Sequence, residues 1–179
     1  MNMNRGPWIL AGALLLAFAI PPAARAQEAA TGAQAAPASV ELGALDQMTE
    51  VRRLRGPARR TTEQQLHALA SWLADQAAPR VPAGETLRIV LKDVDLAGDY
   101  EPGRMGSLQD VRVVKDLYPP RIELAWEFVG ADGEVLREGE GTLRDLNFLT
   151  GSGLLDGDPL RYEKRMLRDW LRRVLPVDK

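Results

Sequence analysis

Cysteine is absent from the 179 residues, which removes disulfides, thiol nucleophiles and thiolate metal sites together. Histidine is nearly absent: His67 stands alone, and none of Ser39, Ser71, Ser107 and Ser152 lies in a Gly-x-Ser-x-Gly turn, so no nucleophilic triad can be assembled. Gly151-Ser152-Gly153 lacks the lysine and following helix of a phosphate-gripping loop. With one imidazole and no thiolate, only carboxylates and carbonyls remain for metals, which favours hard cations or none. An excess of positive charge is missing too. Lys and Arg number 23 against 25 Asp and Glu, so no general field attracts nucleic acid or anionic lipid.

The chain also lacks an apolar run of membrane-spanning length. Ile9 to Ile20 is uncharged and apolar, but Pro21-Pro22 and Arg25 end it after roughly a dozen residues, where a spanning helix needs about 20. Arg5 before this run and the small residues at Ala24-Arg25-Ala26 after it complete the pattern of a cleavable export signal over residues 1–26. Cleavage after Ala26 leaves 21 basic against 25 acidic residues, a net charge of −4. No cysteine follows the cleavage point to carry a lipid, so the expected product is a soluble periplasmic protein and not a lipoprotein. Residues 27–39, QEAATGAQAAPAS, have almost nothing to bury and read as a flexible leader. The remaining 140 residues, 40–179, are enough for one domain with an unaided core.

Within that domain Val40-Glu41-Leu42 alternates as a short first strand. Arg52 to Arg60, broken by Gly56-Pro57, reads as a solvated basic loop. From Thr62 to Ala78 the period becomes helical, with Leu66, Leu69, Ala70, Leu73 and Ala77 on one stripe, Thr61 or Thr62 as N-cap and Pro79 as the stop. His67 falls off the stripe, on the solvent side. Strands are expected at Leu87 to Lys92, at Val111 to Val114 and, most clearly, at Arg121 to Val129. Gly130 to Gly133 returns the chain into Glu134 to Thr142. A three-residue loop with Gly133 left-handed sets Glu127 opposite Arg137 and Phe128 opposite Leu136. Gly139 and Gly141 predict a bulge or a large neighbour packed over that strand. Asp158-Pro159 opens a last helix reaching Val174, with Leu160, Met166, Leu167, Trp170, Leu171, Val174 and Leu175 on its apolar side and Arg161, Arg165, Arg168 and Arg172 opposite. Such a face belongs to a core helix more readily than to one lying on a membrane. The expected class is therefore α+β: an antiparallel sheet of about four strands packed against two helices in a single domain.

Chemistry-bearing residues concentrate in Lys92 to Pro102, where Asp93, Asp95, Asp99 and Glu101 stand close together. A calcium loop is the first thought, but Ala97 and Arg104 occupy positions where an EF-hand has ligands. Asp93, Asp95 and Asp99 share a side in an extended chain and need cations nearby; Arg104, Arg112 and Arg121 are available. Tyr118-Pro119-Pro120 makes a rigid extended corner from which Arg121 emerges beside the acids. Asp93, Asp95, Asp99, Glu101, Tyr118 and Arg121 are thus the candidate binding loop, with no catalytic residue, metal or cofactor assigned.

The two blocks LKDVDLAGDYEP, Leu91 to Pro102, and DVRVVKDLYPPRI, Asp110 to Ile122, resemble the bacterial domain of unknown function numbered 3016. Tyr162-Glu163-Lys164-Arg165 with Trp170 is similar to that family as well. The resemblance spans most of Val40 to Leu175, implies an export signal and brings no established activity. Where the family often has an aromatic after the Glu-Pro step, Gly103 stands here. The functional expectation is a non-catalytic binding or assembly module of the cell envelope, whose partner is another envelope protein or a small ligand; nucleic acid is not expected, nor a membrane once the signal is removed. The alternative is a calcium-dependent or carboxylate-only hydrolase.

Overall fold

A computed structural model describes residues 36–101, 111–150 and 157–175. The expected signal, most of the leader, Gly103, Arg104 and the Gly151-Ser152-Gly153 stretch lie outside the described residues.

Four strands, β1 (Ala38–Leu42), β2 (Glu85–Asp95), β3 (Arg121–Gly130) and β4 (Val135–Arg144), form one sheet in the order β1-β2-β3-β4. Helix α1 (Thr49–Arg52) is one turn, α2 (Gly56–Ala77) is long, and α3 (Arg161–Val174) closes the domain. The α+β class and the strand count are as expected, but the sheet is mixed. β1 runs parallel to β2, with Val40 beside Ile89, whereas β2, β3 and β4 are antiparallel. Parallel neighbours need a crossover, and α1 with α2 supplies it. β1 also starts at Ala38, within the stretch read as leader.

Alternation fixes the inner face. Leu87, Ile89 and Leu91 of β2 pair with Phe128, Trp126 and Leu124 of β3. All but Trp126 are essentially fully buried, against Leu66, Leu69 and Leu73 of α2 and Leu167 and Leu171 of α3. The predicted α2 stripe is the buried one, and His67 is exposed. Where the sequence reads as a basic loop, α1 and the first turn of α2 are helical. Gly56-Pro57 starts the long helix instead of breaking a loop, because proline at the first turn gives up only an amide that has no intrahelical partner. The apolar side of α3 is buried in the core, and its helix begins at Arg161, two residues after Pro159. Asp158 still serves the helix start: its carboxylate accepts the Leu160 N–H at 2.8 Å and the Lys164 ammonium at 2.6 Å.

Two further expectations change. Val111 to Val114 is not a strand: Val113 makes a single antiparallel bridge with Asp99, and Val111 and Val114 are exposed. The hairpin loop is as predicted, with Gly133 at φ +85° and Gly130 N–H donating to Glu134 O at 2.8 Å. The register beyond it is not. A bulge at Leu136 shifts the pairing, so Glu127 faces Glu138 and Phe128 faces Arg137. The shift brings Gly139 opposite Trp126, whose ring fills the space a side chain would take: a Cβ at Gly139 would lie 2.8 Å from it. It also lays Arg137 over the Phe128 ring at 4.0 Å while its guanidinium reaches Glu85 at 3.0 Å. The facing Glu127 is held by Arg88 at 3.0 Å.

Candidate functional site

β2 carries the acidic run out of the sheet, and two buried carboxylates from other elements set the path of the loop beyond it. Glu50 on α1 accepts the Leu96 N–H at 3.0 Å, and Glu163 on α3 accepts the Ala97 N–H at 2.6 Å. Two successive backbone amides beyond the sheet are thereby satisfied by carboxylates from opposite ends of the chain, which fixes where the loop turns. Gly98 completes the turn at φ +88°, a conformation glycine adopts without a Cβ penalty. Its N–H donates to Tyr118 O at 3.0 Å, and Asp99 and Val113 exchange two backbone bonds at 3.0 and 2.9 Å. The acidic loop and the Tyr-Pro-Pro corner are therefore one structure.

Arg112 locks it. Its guanidinium grips both oxygens of Glu50, one contact being 3.2 Å, reaches the carbonyls of Leu96 at 3.4 Å and Gly98 at 3.3 Å, and lies 4.9 Å over the Tyr100 ring. Burial works against the Arg112 charge, yet the Glu50 contacts prevail and raise its pKa above the ordinary value. Glu163 makes no ion pair among the described residues, although the Arg112 charge favours its ionised form. Burial pushes its carboxyl up despite the Ala97 bond, and its second oxygen is buried with no hydrogen-bond partner among the described residues.

The six expected site residues fall into this frame with different fates. Asp93 accepts the Thr49 N–H at 2.6 Å and hydroxyl at 2.8 Å, capping α1, and takes Arg121 at 3.1 Å. Burial alone pushes the Asp93 carboxyl up, but these donors outweigh it and hold its pKa below the ordinary carboxylate value. Arg121 also binds Glu123. Asp99 accepts the Tyr100 N–H at 2.7 Å and meets Arg53 at 3.4 Å. Glu101 is bound by Lys115 and by the Tyr118 hydroxyl at 3.5 Å.

Asp95 is different. No ion pair or hydrogen bond reaches its side chain among the described residues; burial and the charges of Glu50, Asp93 and Asp99 raise its pKa, with Arg53 a partial offset. It lines a notch of about 210 Å³ with Arg53, Asp99, Leu117, Tyr118, Arg121 and Arg144. Among the described residues no group of three or more acidic, His or Cys side chains is placed to hold a metal ion.

Sequence reasoning missed Glu50, Thr49 and Glu163. Glu163 had a signal, since it precedes Met166, Leu167 and Trp170 by three, four and seven residues and so lies on the apolar stripe of α3. Glu50 and Thr49 sit in too short a helix to show a period. Comparison with curated proteins and with solved structures returns no match. The pattern of the family described as "Protein of unknown function (DUF3016)" matches residues 36–173, from just before β1 almost to the end of α3, and the chain belongs to that family.

Proposed function

We propose that the protein is an exported, non-catalytic binding module of the cell envelope that receives a cationic group, from another envelope protein or a small ligand, at Asp95. The observation carrying this reading is the uneven pairing of the acids. Asp93, Asp99 and Glu101 are each held by donors of the protein itself, whereas Asp95 faces a notch with no ion pair or hydrogen bond among the described residues and its charge only partly offset by Arg53. A half-buried carboxylate beside like charges is raised in energy, and an ammonium or guanidinium from outside relieves that cost. The loop beyond it is tied to α1, α3 and the Tyr118 corner by hydrogen bonds, so little ordering is required on binding. Export rests on the residue pattern of the first 26 positions; among the described residues no helix is long and apolar enough to cross a membrane.

The hydrolase alternative fits less well, because carboxylate-only hydrolysis needs two available carboxyl groups across a cleft and three of these four acids are engaged. The test is a photo-crosslinking residue at Leu117, which is 71% exposed at the notch, introduced in the native envelope with Asp95 intact or changed to Asn. A discrete adduct lost in Asp95→Asn is the expected result. An adduct unchanged by that substitution removes the reading, and full-length protein recovered from the cytosol with its leader attached removes the export half.

A further inference from the structure

The edge strand β4 ends the sheet with a pattern that complements itself. Among the described residues nothing pairs with its outer side, and almost all of its residues are exposed. The Asp145 N–H turns inward to Pro120 O at 3.4 Å, so by strand alternation Glu138, Glu140, Thr142 and Arg144 present their backbone groups to the open edge. Long unpaired edges of this kind invite another strand. The charges on this strand are also poorly served within the chain: Glu138 faces Glu127, and Arg144 faces Arg121. Neither Glu138 nor Arg144 makes an ion pair among the described residues, while Glu140 has Lys92 at 2.5 Å.

We infer that β4 is the interface for a second copy of the chain, pairing antiparallel about a two-fold axis at Gly141. In that register Glu138 of each copy faces Arg144 of the other and Glu140 faces Thr142, so both uncompensated charges find partners twice over. Sliding the partner by two residues one way sets Glu140 against its own copy; sliding it the other way sets Arg144 against the already paired Glu140. Only the Gly141-centred register satisfies the charges that are left. A Cβ at Gly141 meets nothing within 4 Å, so the chain has room for a side chain at the axis.

Sedimentation equilibrium on the mature chain tests this. A concentration-dependent dimer is expected, weakened about tenfold or more by Arg144→Glu, where like charges meet twice, and restored when Glu138→Arg is added. A chain that stays monomeric, or a dimer indifferent to these charges, overturns the proposal. Because the natural sequence has no cysteine, single thiols report the geometry directly. Gly141 would occupy a non-hydrogen-bonded pair with Cα atoms about 4.5 Å apart, within disulfide reach. Oxidation should therefore link Gly141→Cys chains and leave Ser39→Cys, on the opposite edge, unlinked; linkage at both positions alike, or at neither, also overturns it.

Discussion

Glu163 occupies a position where helical periodicity asks for a hydrophobic residue, and its carboxyl is held there by the backbone amides of Ala97 and of Glu163 itself. Its carboxyl pKa is raised by burial, so the folded state holds the proton more tightly than the unfolded chain does. Stability from this group therefore falls as pH rises from the unfolded carboxyl range, about 4.3, through the raised folded value. Glu163→Gln keeps an oxygen for Ala97 and cannot ionise; urea unfolding at a series of pH values between 4 and 8 should show a flatter profile than the wild type. Arg112 is the opposite case, a charge whose removal strands its partner. Arg112→Met leaves the buried Glu50 carboxyl without its guanidinium, and should destabilise the fold by about 3–5 kcal/mol in chemical denaturation, with part of the loss recovered by adding Glu50→Gln. At this scale the sequence was only half legible. The acids of β2 and Arg121 announce themselves by clustering, but the partner of Arg112 is 62 positions upstream, and nothing local in a sequence reports such a distance.

The helices and the central strands were legible because each keeps one period over many residues: the Leu66 to Ala77 stripe, the Met166 to Leu171 face and the alternation of Ile122, Leu124 and Phe128 are all buried as read. The errors fall where periods are short or where two elements must meet. Val111 to Val114 alternates like a strand, yet one bridge to Asp99 is all it finds. The hairpin register depended on Trp126, whose ring needs the space over Gly139, and a large ring outweighed a favourable Glu127–Arg137 pair. Gly139→Ala puts a methyl group into that ring and should cost about 1–3 kcal/mol in thermal unfolding. Gly98→Ala should cost at least as much, since its Cβ would lie 2.7 Å from Val113 O in a left-handed backbone.

For the whole molecule, the apolar face of α3 is already used. Leu167, Trp170 and Leu171 are in the core, and Lys164 and Arg168 lie over Trp72 of α2 at 5.6 and 5.8 Å. A helix so occupied has nothing to insert into lipid, and residues 27–179 carry a net charge of −4, which opposes anionic headgroups. Flotation of the mature chain with anionic vesicles should leave it at the bottom of the gradient, and recovery at the lipid interface would show that α3 can leave the core.

The clamp on Leu96 and Ala97 also carries a consequence for the order of assembly. One of its carboxylates comes from α1 and the other from α3, the last element of the fold to be synthesised. A chain synthesised from its N-terminus delivers β2 well before Glu163 arrives. Until then the Ala97 amide lacks the carboxyl it meets in the folded chain, so the loop that carries Asp95 reaches its final path only when α3 has been made.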